Sequence, residues 1–126
     1  MNDRIDATLA KRVENVLDPW AEGIRRHEPD LVALLFTHDV LFQGFDPEPG
    51  FGRAAVVPYY TKQPVGLSPE YKLLSVRELG DGTMVTYAHV VFTRPDGTEI
   101  PVYLTLITEE SGEKDLISHY HVSRIF

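Results

Sequence analysis

MVTYAHVVFTRPDGTEIPVYLTLITEESGEKDLISHYHVSRI, residues 84–125, is the stretch that decides the fold. Three runs rich in Val, Ile, Leu, Thr and Tyr are separated by Asp96-Gly97 and Ser111-Gly112. A fourth such run, Tyr71 to Leu79, ends at Asp81-Gly82. Asp-Gly is favoured hairpin chemistry because both central residues of the turn can take positive φ. The spacing predicts strands over 71–79, 84–93, 99–108 and 116–125, joined as an antiparallel meander.

Side chains alternate across a strand, so the turns fix the faces. With two-residue turns at Asp96-Gly97 and Ser111-Gly112, Val91 faces Val102, His89 faces Leu104 and Tyr87 faces Leu106, while His119 lies opposite Leu104 and His121 opposite Val102. Tyr87, His89, Val102, Leu104, Leu106, His119 and His121 then share one face. Within it, His89 and His119 stand about 9.6 Å apart across two strand spacings, and His119 and His121 are about 6 to 7 Å apart along one strand. The other face carries Phe92, Tyr103, Ile107, Leu116, Tyr120 and Val122 and is also apolar, so both faces call for a cover: helices on one, a second subunit on the other.

Upstream, Ile5, Leu9, Val13, Val16, Leu17, Trp20 and Ile24 repeat at helical spacing and predict one amphipathic helix over 3–26, with a kink or break near Leu17-Asp18 because Pro19 removes a backbone hydrogen bond. A short helix opening near Pro29 and ending near Thr37 follows. Asp39 to Gln43 reads as a strand entering a loop over 44–52, and Arg53 to Lys62 as a third helix stopped by Gln63-Pro64. The reading is one α+β domain spanning residues 1–126.

Composition narrows the function. The 126 residues carry 12 basic and 19 acidic side chains, for a net charge of −7, which disfavours nucleic-acid binding. There is no cysteine, which excludes disulfides, thiolate ligands and a cysteine nucleophile and suits a reducing compartment. No run approaches the roughly 18 apolar residues of a membrane span. A cytoplasmic protein is expected, without membrane partner. A three-histidine metal site lacks a supporting carboxylate, so neither metal nor cofactor is expected.

The histidines carry the chemistry available on this face. Imidazole is the side chain whose ordinary titration lies near neutral pH, which makes His89 and His119 the candidate general acid and base. Tyr87 is the candidate oxyanion donor. Trp20, Phe42, Tyr59, Val102, Leu104 and Leu106 form the candidate ligand wall, with His121 beside them. The competing reading of each histidine is a hydrogen-bonded core residue.

The passage Leu34-Leu35-Phe36-Thr37-His38-Asp39-Val40, the helix start Gly52-Arg53-Ala54 and the ending Ile117-Ser118-His119-Tyr120-His121-Val122-Ser123 resemble the nuclear transport factor 2-like superfamily over nearly the whole chain. Gln63-Pro64, Arg77-Glu78-Leu79 and the His-Tyr-x-Val-Ser ending resemble the SnoaL-like branch found beside enediyne polyketide biosynthesis genes. The resemblance implies a homodimeric cone, with a curved antiparallel sheet wrapped around N-terminal helices and one internal pocket. It also implies a small hydrophobic or aromatic ligand of polyketide type. Ketosteroid isomerases of the same superfamily place an acid, a tyrosine and a second acid where this chain has Gly44, Trp20 and Leu106, so their apparatus is not expected. Asp39 and Asp46 are the nearest acidic candidates for SnoaL-type chemistry. Two classes remain: a pocket enzyme using histidine acid/base catalysis, and a non-catalytic ligand-binding or assembly protein.

Overall fold

The computed structural model describes residues 5–45 and 48–125, and the acidic candidate Asp46 lies outside them. Helix α1 spans Ala7–Arg25, capped by the Asp6 carboxylate, which accepts from the backbone N–H groups of Thr8 and Leu9 at 2.8 and 3.1 Å. Val13, Val16, Leu17, Trp20, Ala21 and Ile24 form its buried stripe. The helix runs through Pro19 as one 19-residue element; Pro19 itself is exposed, so its ring sits on the wet side of the helix. Helix α2 (Pro29–Ala33) packs back on α1 at Gly23, where a Cβ would fall 2.6 Å from Val32 Cγ2.

Strand β1 covers Phe36–Gln43, beginning inside the segment expected as the end of the second helix. The Arg53 guanidinium donates twice to the Phe36 carbonyl, at 3.1 and 2.8 Å, and so pins the strand's start to the turn that opens the third helical segment. A two-residue strand β2 (Gly50–Phe51) pairs with β1 near the end of the expected loop. A 3₁₀ turn over Arg53–Ala55 then leads into α3, Val56–Thr61.

Four long strands follow: β3 (Ser68–Gly80), β4 (Thr83–Thr93), β5 (Glu99–Ser111) and β6 (Lys114–Arg124). They form the expected antiparallel meander within a six-stranded curved sheet of order β2-β1-β6-β5-β4-β3, in which β1 joins β6 in parallel. The β3–β4 turn is the expected Asp81-Gly82, with both residues at positive φ (52° and 78°).

The other two turns differ from the two-residue reading. Thr93 pairs with Glu99, and the Arg94 N–H donates to the Thr98 carbonyl, so the β4–β5 loop is Pro95-Asp96-Gly97. Pro95 suits the first central position of a type I turn, and Gly97 at φ 90° supplies the left-handed residue that closes such a loop. Ser111 pairs with Lys114, so the last turn is Gly112-Glu113, with Gly112 at φ 65°. Beyond it, Thr108 pairs with Ile117 but Ile107 with His119, leaving Ser118 as an extra residue in β6, a β-bulge.

These registers sort the faces. Met84, Thr86, Ala88, Val90 and Phe92 of β4, Val102, Leu104, Leu106 and Thr108 of β5, and Ile117, Tyr120 and Val122 of β6 are buried beneath the helices. The bidentate pair between Arg12 and Asp115, at 3.1 and 2.6 Å, ties α1 to the start of β6. The Tyr71 hydroxyl donates to Asp18 and ties α1 to β3.

Candidate functional site

The cone is filled from within by aromatic rings. Trp20 is fully buried and sits edge-on to Phe92, with ring centroids 6.0 Å apart. Phe42 stacks on Tyr120 with centroids 4.6 Å apart and an interplanar angle of 16°. The Trp20 indole N–H donates to the Tyr60 hydroxyl at 3.0 Å, and the Tyr60 and Tyr120 hydroxyls share a hydrogen bond of 3.2 Å. Burial pushes both phenols above their ordinary pKa, so they stay neutral. Of the expected ligand wall, Trp20, Phe42, Val102, Leu104 and Leu106 therefore belong to this packed interior.

Tyr59 packs edge-on against Phe42, with ring centroids 5.0 Å apart, but is less deeply buried. It is half-buried at the mouth of the cone, its ring lying over Gly44 and its hydroxyl accepting the Phe45 N–H at 2.9 Å. Around it opens a cleft of about 460 Å³ lined by Phe45, Tyr59, Gln63, Arg94, Ile100, Pro101, Arg124 and Ile125. The lining comes from four places: the chain just past β1, α3 with Gln63 two residues past it, the β4–β5 hairpin, and the end of β6. Arg124 Nη2 donates to the Phe45 carbonyl at 3.1 Å, and its guanidinium carbon lies 5.6 Å from the centre of the Phe45 ring. The Gln63 amide donates to the Tyr59 carbonyl at 3.2 Å.

A second groove of about 440 Å³ runs between α1, α2 and the β5–β6 hairpin, past Val16, Pro19, Leu31 and Leu34. Of the two cations among its described lining residues, Arg12 is already spent on Asp115 and on Glu110, 3.5 Å away, and Lys114 stands in a wall that also carries Glu113 and Asp115. The mouth cleft is therefore the better candidate, because its guanidinium groups have no carboxylate opposite them among the described lining residues.

The structure corrects the placement of Tyr87, His89, His119 and His121. Tyr87 pairs with Thr105, Thr105 with His121, His89 with Tyr103 and Ile107 with His119, all on the sheet face away from the helices. Val91 likewise faces Pro101 rather than Val102. The cause is the odd-length hairpin loop on one side and the Ser118 bulge on the other, each of which inverts a strand's facing. Two of the four meet at one ring: Tyr87 stacks on Tyr103 at 5.3 Å, and His89 meets the same ring edge-on at 5.7 Å. Partial burial, then the neighbouring His121, depress the pKa of His119 below its ordinary 6.5. Among the described residues no cluster of three His, Cys, Asp or Glu side chains is arranged to hold a metal ion. Asp39 is exposed on β1, where it accepts from the Thr37 hydroxyl at 3.0 Å.

Sequence reasoning missed Phe45, Gln63, Arg94, Ile100, Pro101, Arg124 and Ile125. The signal that could have found Arg94 is the Pro95-Asp96-Gly97 turn, which puts it on the inward side two residues past Phe92.

No family model matches the chain, and none of the curated proteins does. Solved structures do. A ketosteroid isomerase-like protein from Erwinia carotovora atroseptica superposes with a TM-score of 0.79 at 16% identity, covering 97% of this chain and 99% of that one. Rv3472, a protein of unknown function from Mycobacterium tuberculosis, gives a TM-score of 0.83 at 16% identity over 95% of this chain and 78% of that one. A chain named Rd1NTF2_05 gives 0.76 at 14% identity over 90% and 98%. At such identities the likeness is one of fold, and the fold is the NTF2-like cone. No helix among the described residues is long and apolar enough to cross a membrane.

Proposed function

We propose that this protein binds a hydrophobic or aromatic small molecule at the mouth of its cone, as a homodimer joined through the outer sheet face. The observation that carries the reading is the cleft itself: Phe45, Tyr59, Ile100, Pro101 and Ile125 offer apolar contact beside Gln63, Arg94 and Arg124. Ligand sites combine apolar walls with polar groups that orient the guest, and this cleft offers both. The resemblance to SnoaL-like proteins beside enediyne biosynthesis genes favours a polyketide-type guest met in the cytoplasm.

Binding without turnover is the reading favoured over catalysis. The described lining of the cleft holds neither imidazole nor carboxylate to act as acid or base, while Tyr87, His89 and His119 lie across the sheet. A histidine mechanism would need a guest on the outer face, which the proposed dimer covers. Gly44 also fits this reading, since an aspartate there would collide with the Tyr59 ring.

The dimer reading comes from the burial pattern. Val85, Val91, Tyr103, Thr105 and Ile107 keep part of their surface open on a face that no helix covers, and exposed Glu70, Lys72 and Arg77 edge the patch in register. An apolar centre with a charged rim is the composition of a protein interface.

The test is a fluorescence titration with N-phenyl-1-naphthylamine, a neutral aromatic probe. The wild-type protein should bind it with micromolar affinity, and Ile100→Trp and Gln63→Trp, which fill the cleft from opposite walls, should each abolish binding. Binding that survives both substitutions removes the cleft from the proposal.

A further inference from the structure

Resting on that reading of the mouth cleft, we infer that its guest is an organic anion: a flat apolar body carrying one carboxylate or sulfonate group, held by Arg94 and Arg124. The argument begins with charge. The chain as a whole carries −7, yet among the described residues the two charged side chains lining this cleft are both arginines. A local reversal of sign inside an acidic surface concentrates anions at one place and repels them elsewhere.

Register explains how the two converge. Phe92 pairs with Ile100 and Val102 with Arg124, on the helix-facing side of the sheet. Arg94 follows Phe92 at the same spacing, so both arginines extend the buried rows past the last large core side chain and into the opening. Arg124 is also pre-positioned, since its bond to the Phe45 carbonyl and its seat over the Phe45 ring hold the guanidinium at the wall. A guanidinium has five N–H donors in a fixed fork, so this one bond leaves donors to meet a planar anion. Phe45 then offers the guest an aromatic surface beside the charge.

Asp96 also acts electrostatically on Arg94. It is fully exposed, however, and its carboxylate is committed to its own turn, accepting the Thr98 N–H at 2.9 Å. It therefore competes weakly for Arg94 with an anion seated against apolar walls.

The experiment compares two probes of one shape. 8-Anilinonaphthalene-1-sulfonate carries an anionic group that N-phenyl-1-naphthylamine lacks. The sulfonate should bind about tenfold more tightly than its neutral counterpart, the scale of one charged hydrogen bond. Arg94→Gln and Arg124→Gln should each weaken the sulfonate about three- to tenfold, weaken the neutral probe by a smaller factor than the sulfonate, and reduce the salt dependence of sulfonate binding. Arg94→Gln spares the Arg124–Phe45 contact and so reports on charge alone. Equal affinity for the two probes, or arginine variants that bind the sulfonate as the wild type does, overturns the inference while the cleft remains a binding site. Loss of both probes from the wild type, or indifference of both to Ile100→Trp and Gln63→Trp, overturns the underlying reading and the inference with it.

Discussion

Gly44 lies directly beneath the ring of Tyr59: a Cβ on the glycine would fall 2.3 Å from the tyrosine Cζ. No rotation of the tyrosine that keeps its hydroxyl on the Phe45 N–H would relieve so short an approach, so Gly44→Ala must drive the ring from its seat. The expected result is a loss of about 1–3 kcal/mol in urea denaturation, the cost of overpacking a filled site. Affinity for the neutral probe should fall at least fivefold. Gly44→Ala combined with Tyr59→Ala should lose less stability than the two single losses added, because the clash is counted once.

Thr86 and Thr108 are fully buried, and neither hydroxyl has a hydrogen-bond partner among the described residues. Each therefore gives up its hydration for nothing in return. Thr86→Val replaces the hydroxyl with a methyl group of nearly the same shape and should raise stability by about 1 kcal/mol, read as a higher urea midpoint with an unchanged slope. A lower midpoint would mean that the hydroxyl is satisfied after all.

Thr105 stands in the middle of the outer face, between Tyr87 on one strand and His121 on the next. In a dimer joined by that face, Thr105→Arg buries an unpaired charge, which costs several kcal/mol and should leave a monomer in sedimentation velocity, with the circular dichroism spectrum unchanged. A wild-type protein that sediments as a monomer at tens of micromolar would dispose of the interface altogether.

His119 gives a pH dependence of defined sign. Its pKa in the fold is depressed by burial and by the neighbouring His121, so the unfolded chain takes up the proton first. The stability tied to a neutral His119 is complete above about pH 6.5 and is lost as the pH falls from there toward the folded value. Urea midpoints measured from pH 8 to pH 5 should therefore decline below 6.5, and His119→Gln should flatten that part of the curve. A wild-type midpoint that rises on acidification would contradict the burial of a neutral imidazole.

Much of this architecture was readable from local signals. The stripe from Val13 to Ile24 gave α1, and the alternating runs after Tyr71 gave four strands in their order. The parallel pairing of β1 with β6 was not readable, because it joins Leu41 to His119 across most of the chain and no turn between them dictates it. The site failed on arithmetic. For β4, the Pro95-Asp96-Gly97 loop is one residue longer than assumed, and one residue is enough to turn His89 and Tyr87 outward. Pro95 was the clue, since its fixed φ suits the first central position of a three-residue loop. For β6, placing the turn at Ser111-Gly112 instead of Gly112-Glu113 moves the pairing by two residues and preserves the faces. His119 and His121 turned outward because of Ser118, which the alternation of β6 does not announce.

That bulge also sets what the strand can lose. Deleting a residue elsewhere in a paired strand throws everything beyond it to the opposite side. Deleting Ser118 would instead close the ladder into regular pairing, with Ile117 and Tyr120 still inside and His119 and His121 still outside. What would change is curvature, because a bulge bends and twists its strand. β6 thus tolerates a length mutation at one site where its geometry, and not the identity of its neighbours, would bear the consequence.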